Sequence, residues 1–132
     1  MEKVVICGSG SFHKEAKEWK DKLEGDKYEV IKYPNMVDID SIDDYKEAHK
    51  EHYEKINECN ILFIMNLDKN NIENYIGPSV FVEIAYAIGL NITKNYNIDI
   101  FLLNSIPEEV PYSEELNLWK ELGWIKRWHN RK

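Results

Sequence analysis

The run "ILFIM" at residues 61–65 has no polar alternation. A strand that is apolar toward both sides must be covered on both sides, the situation of a strand inside a parallel sheet. "KVVIC" (3–7) is a second short β-branched run, ending at "GSGS", and "YEVIKY" (28–33) is a third, closed by Pro34. "IDIFLLN" (98–104) gives a fourth, and "WIKRW" (124–128) offers a short final strand.

Helical spacing fills the gaps. Residues 13–24 put Ala16, Trp19 and Leu23 on one face, and Gly25 ends that helix. A helix from about Ser41 to Glu58 is expected to turn Ile42, Tyr45, His49, His52 or Tyr53, and Ile56 inward. Helices at 78–90 and at about 113–122 complete the set. Strands alternating with helices predict one α/β domain spanning 1–132. Its expected form is a flavodoxin-like three-layer sandwich, with a four- or five-stranded parallel sheet and helices on both faces. Ligands of such folds bind beyond the C-terminal strand ends, where the strand order reverses. The loops "GSGSFH", 34–40, 66–77 and "NSIPEEVPYS" lie at that edge, and loops 34–40 and 66–77 are expected to cover the substrate.

One residue interrupts the pattern. In "VFVEIAYAIGL" (80–90) Glu83 is a lone acid in a helix apolar nearly all round. Burying an unpartnered carboxylate costs several kcal/mol, so Glu83 either reaches the cleft or is paired structurally. Pro78 suits the first helical turn, and the free N–H groups there, beside Ser79, favour an anion.

Other residues at this edge carry a functional and a structural reading side by side. Gly8, Ser9, Gly10 and Ser11 can bring N–H groups to a phosphate or sugar hydroxyl, or form a plain tight turn. His49 and His52, three apart on one helix face, can protonate a leaving base or simply pack. As metal ligands they need a third partner, for which His13 is the candidate; no CxxC spacing exists. Lys69 and Asn70 sit on a long loop, as phosphate-facing or as solvated side chains. Asn104 and Ser105 end the fourth strand, where they can meet a sugar or base. Ser113 heads the last helix, with N-capping as its default role.

Cys7 and Cys59 each border an apolar run and read as small core residues in a reducing compartment. Trp119, Trp124 and Trp128 would mark a subunit interface if exposed on one side. The formal charge of −7 argues against a nucleic-acid partner. No signal-peptide pattern or membrane-length apolar run is present, so a soluble, cytoplasmic protein without a membrane partner is expected.

"GSGS" after the first strand, "ECNILFIMN" at the third, and the G-x-S-x-x-x-E-I-A-Y-A pattern on the next helix together resemble the nucleoside 2-deoxyribosyltransferase superfamily. That group includes 2'-deoxynucleoside 5'-monophosphate N-glycosidases, and the likeness runs from Lys3 to about Asn104. The resemblance implies that Glu83 attacks the anomeric carbon of a nucleoside or nucleotide while the base leaves. It places Ser79 and Gly77 in a phosphate-binding segment, and Ser113 near the phosphate of a neighbouring subunit in a homodimer or larger assembly. It implies no cofactor and no metal. The chain departs from the family at three points. Gly77 stands where transferases commonly carry Asp. Gly77 and Ser79 reverse the Ser and Gly order of the hydrolases. His52 stands about where an Asp is usual, which makes His52, or less directly Tyr53, the stand-in acid/base. Three other readings accompany this one: a non-catalytic nucleotide-binding sensor; a phosphoribohydrolase resembling the cytokinin-activating enzymes, whose "PGGxGT" is absent; and a plain interaction module, which a closed cleft around Glu83 would favour.

Overall fold

The computed structural model describes residues 1–35 and 39–131. Strands β1 (Lys3–Cys7), β2 (Glu29–Lys32), β3 (Ile61–Ile64), β4 (Asp99–Leu102) and β5 (Lys126–Arg127) form one sheet. Every pairing is parallel, in the order β2-β1-β3-β4-β5. Helices α1 (His13–Gly25), α2 (Ile42–Glu58), α3 (Pro78–Lys94) and α4 (Ser113–Glu121) connect the strands. Three-residue 3-10 turns lie at Gly10–Phe12 and Trp128–Asn130. The expected α/β class, parallel sheet and flavodoxin-like layering are all present.

Strand alternation sorts the core into two layers. Val4, Ile6, Ile61, Phe63 and Phe101 face Ala16 and Leu23 of α1, together with Trp128. Val5, Cys7, Leu62, Ile64, Ile100 and Leu102 face Ile56 of α2, Val80, Ile84 and Ala87 of α3, and Leu116 and Trp119 of α4. Both layers are needed because successive side chains point to opposite faces. Burial of each large apolar side chain here contributes about 1.5–3 kcal/mol.

The helix ends follow their sequences. Ser41 caps α2 by accepting from the Asp44 N–H at 3.1 Å, and Asp43 and Asp44 lie in its first turn. These two acids thus complement the positive end of the helix. Helix α3 continues one turn past Leu90 and ends where Asn95 adopts a left-handed conformation (φ 59°). Asn91, in that extra turn, bonds both to the N–H and to the carbonyl of Ile98 at 2.9 Å, fixing the lead into β4.

Two expectations are corrected, and one condition is not met. The inward stripe of α2 starts later than its spacing suggests: Ile42 is 78% exposed and Tyr45 48%. The helix meets the sheet through its C-terminal half, where Ile56 is fully buried. Trp119 and Trp128 are buried in opposite core layers and Trp124 is half-buried, so the tryptophans fill the core and form no exposed face. Ser113 does not cap α4; Tyr112 holds the cap position without a side-chain cap bond, and the Ser113 N–H bonds to the Val110 carbonyl. The expected cover by loop 34–40 lies in part outside the described residues. Among the described residues, no helix is long and apolar enough to cross a membrane.

Candidate functional site

The strand order reverses between β1 and β3, so the crevice expected for a ligand opens beyond Cys7 and Ile64. A cleft of about 270 Å³ lies there, lined by Gly8, Tyr33, His49, His52, Ser79 and Glu83 among others. A second hollow of about 250 Å³ adjoins it across Gly8, Gly10, Ser79 and Val80, and reaches Ser9, Lys69, Tyr75 and Gly77. The "GSGS" loop and the start of α3 therefore stand between two halves of one groove.

Close approach of Met65 favours glycine at position 8. A Cβ there would lie 3.2 Å from Met65 Cε and 3.3 Å from the Met65 carbonyl oxygen. A side chain there requires Met65 to give by a few tenths of an ångström. Beyond Gly8 the Ser9 hydroxyl accepts from the Ser11 N–H at 3.3 Å and lies 2.9 Å from the Ser11 hydroxyl. It also accepts from Lys69 Nζ at 2.7 Å.

Lys69 reaches Ser9 because the Asn-rich loop is a built element. Lys69 and Ile72 exchange backbone hydrogen bonds at 3.0 and 2.9 Å, and Asn70 and Asn71 between them both have positive φ. That is a two-residue hairpin turn of the mirror-image type, which asparagine tolerates. Asp68 accepts from the Asn74 N–H at 2.9 Å, and the Tyr75 N–H bonds to the Leu67 carbonyl, closing the loop. Asn70 is exposed at the turn, so its role is conformational.

Helix α3 enters the groove as its sequence suggests, with Gly77 at the cap position and Pro78 in the first turn. No side chain caps it among the described residues, so the first N–H groups lack helical acceptors. A Cβ on Gly77 would meet the Tyr75 ring at 3.1 Å, so this glycine gives the Tyr75 side chain its room beside Lys69.

Glu83 lies on the second turn of α3 and is only 8% exposed, yet it lines the cleft. Its Oε1 is 3.4 Å from Nε2 of His52 on α2, an ion pair when the imidazole is protonated. The same Nε2 is 3.3 Å from Sγ of Cys7, the last residue of β1. Burial, then the nearby Glu83 charge, pushes the Cys7 thiol well above its ordinary range, so it stays protonated. Tyr53 packs against Tyr86 at 5.1 Å between ring centroids, and its phenol is raised by burial and by Glu83. Tyr86 in turn donates to Asn57 at 2.7 Å, tying α3 to α2 behind the site.

The expected site residues divide into two groups. Gly8, Gly10, His52, Ser79 and Glu83 line the cleft; Ser9 and Gly77 line the adjoining hollow, where Ser11 holds Ser9. Asn104 is engaged elsewhere: its amide donates to the Asn66 carbonyl at 2.9 Å, while its N–H bonds to Asn66 Oδ1. Ser113 lines neither half of the groove. His13, His49 and His52 do not converge; among the described residues the one converging set of three such donors is Cys7, His52 and Glu83. Cys7 is the addition to the expected set: a strand end carries little local signal, and only the sheet order brings it beside His52. Lys69, one of whose two readings faced a phosphate, lines the hollow and bonds Ser9. No protein-family model matches the chain, and no curated protein matches its sequence.

Proposed function

We propose that the protein cleaves the N-glycosidic bond of a nucleoside or nucleoside 5'-monophosphate, with Glu83 as nucleophile. The observation that carries this reading is a buried carboxylate that faces a cleft at the strand-order reversal, beside a histidine. A Glu83 oxygen attacks the anomeric carbon, the bond from that carbon to the base nitrogen breaks, and the base takes up a proton as it leaves. The resulting glycosyl ester then yields its sugar to water or to a second base, regenerating the carboxylate. His52 orients the carboxylate and is the nearest group able to supply a proton. Ser9 and Lys69, with the open first turn of α3, offer donors to a phosphate or sugar hydroxyl.

The test is base release from a panel of nucleosides and 5'-monophosphates, for the wild type and Glu83→Ala, with and without a free acceptor base. Release that vanishes in the variant supports the reading, and dependence on the acceptor separates transfer from hydrolysis. Saturable nucleotide binding without release would favour the sensor reading.

A further inference from the structure

Cys7, His52 and Glu83 come from three different elements, yet their donor atoms all lie within 4.8 Å of one another. Cys7 Sγ and Glu83 Oε1 both approach the same imidazole nitrogen, at 3.3 and 3.4 Å. A nucleophilic relay would place the thiol on one ring nitrogen and the acid on the other. Here both point at one nitrogen, and the thiol is fully buried, closed to a substrate. Three donor atoms of different elements, each within 4.8 Å of the others, are close enough to share one ion.

Two of the three donor–donor distances match the edges of a small tetrahedral centre, and the sulfur–oxygen edge, within 4.8 Å, closes onto the ion when it binds. Bonds of about 2.3 Å to sulfur and about 2.0–2.1 Å to nitrogen and oxygen give ligand–ligand edges of about 3.3–3.6 Å. The two measured edges fall in that range. One thiol, one imidazole and one carboxylate form a borderline-soft set that suits zinc or cobalt, and it lacks the oxygens that magnesium or calcium needs.

We propose that Cys7, His52 and Glu83 form a three-ligand site for a divalent cation of the zinc class, its fourth position open to the cleft. Binding releases the Cys7 proton to solvent and leaves a thiolate, a neutral imidazole and a carboxylate on the ion. An ion held there occupies the carboxylate proposed as nucleophile, so it acts as an inhibitor of base release. The site shares Glu83 with the proposed function without resting on it.

The test is titration of the full chain, reduced and chelator-stripped, with cobalt(II), followed by optical absorption. One equivalent should give a thiolate-to-cobalt charge-transfer band with the strong visible bands of a tetrahedral centre, and zinc should bleach both. Cys59→Ser should keep the band and Cys7→Ser should lose it. His52→Ala and Glu83→Gln should weaken cobalt binding by more than about 100-fold. No band in the wild type, or an unchanged band in Cys7→Ser, overturns the proposal. If Cys7→Ser does not fold, His52→Ala, at a partly buried helix position, decides: undiminished affinity overturns it. Base release measured with chelator present is a separate readout. Cobalt binding without base release would sink the glycosidic reading alone, and base release without cobalt binding would sink the metal site alone.

Discussion

Asn66 and Glu83 are the two polar side chains buried in the core among the described residues, at 1% and 8% exposure. Their surroundings could hardly differ more. Asn66, just beyond β3, donates from Nδ2 to the carbonyls of Asn104 and Ser105 at 3.0 Å and accepts the Asn104 N–H at 2.9 Å. Every one of those partners is backbone, and together they clamp the end of β3 to the end of β4. Glu83 has no backbone donor among the described residues; its close polar neighbours are a histidine and a thiol, and it faces a cleft. A buried polar group saturated by backbone holds the fold, whereas one left with side-chain neighbours is available for chemistry.

The comparison can be broken most sharply at Glu83. Glu83→Gln preserves shape and should reduce base release at least about 10³-fold, with stability to urea changed by less than about 1 kcal/mol. A variant that lost several kcal/mol would put Glu83 in the same class as Asn66. The converse holds for Asn66→Ala, which strands an N–H and two carbonyls and should cost about 3 kcal/mol. Urea unfolding of that variant at an unchanged m value measures it. Gly8→Ala tests the join between the two regions. Its Cβ crowds Met65 at 3.2–3.3 Å, so a loss of about 1–3 kcal/mol is expected, together with weaker ligand binding.

The smallest effect concerns the two cysteines. Burial pushes the Cys59 thiol from 9.0 up to about 12, and Cys7 shifts in the same direction. The folded state then keeps a proton that the unfolded chain releases. Each thiol's stabilising contribution is complete below pH 9 and is lost as pH rises toward the folded value. The slope is about 1.4 kcal/mol per pH unit for each thiol. Cys59→Ser should therefore lose less stability than the wild type between pH 9 and 10, by roughly that amount. Equal losses in the two proteins would show that Cys59 is not held protonated.

Much of the framework was legible because it rests on local pattern. The unalternating "ILFIM" required cover on both faces, and Gly25 and Pro78 marked helix limits close to those observed. Glu83 stood out because an acid inside an apolar helix has few explanations. What stayed hidden depends on pairing between distant residues. Asn66 and Asn104 are 38 positions apart, and Cys7 and His52 are 45, so no local spacing announces either contact. The exposed start of α2 was misread because helical periodicity shows which residues share a face, not how far along the helix the sheet extends. Loop 66–77 carried no strand-like pattern, yet left-handed Asn70 and Asn71 make a hairpin turn in it.

Cys7 reaches His52 because it is an odd-numbered residue of β1, where odd positions face α2 and α3 and even positions face α1. Slipping β1 by one residue along β3 would bring Ile6 or Gly8 to that spot and turn the thiol toward the other layer. Parity along five residues of strand thus decides whether a thiol stands beside His52 at all. A one-residue insertion between Val4 and Cys7 would erase the convergence while leaving Glu83 and His52 on their helices.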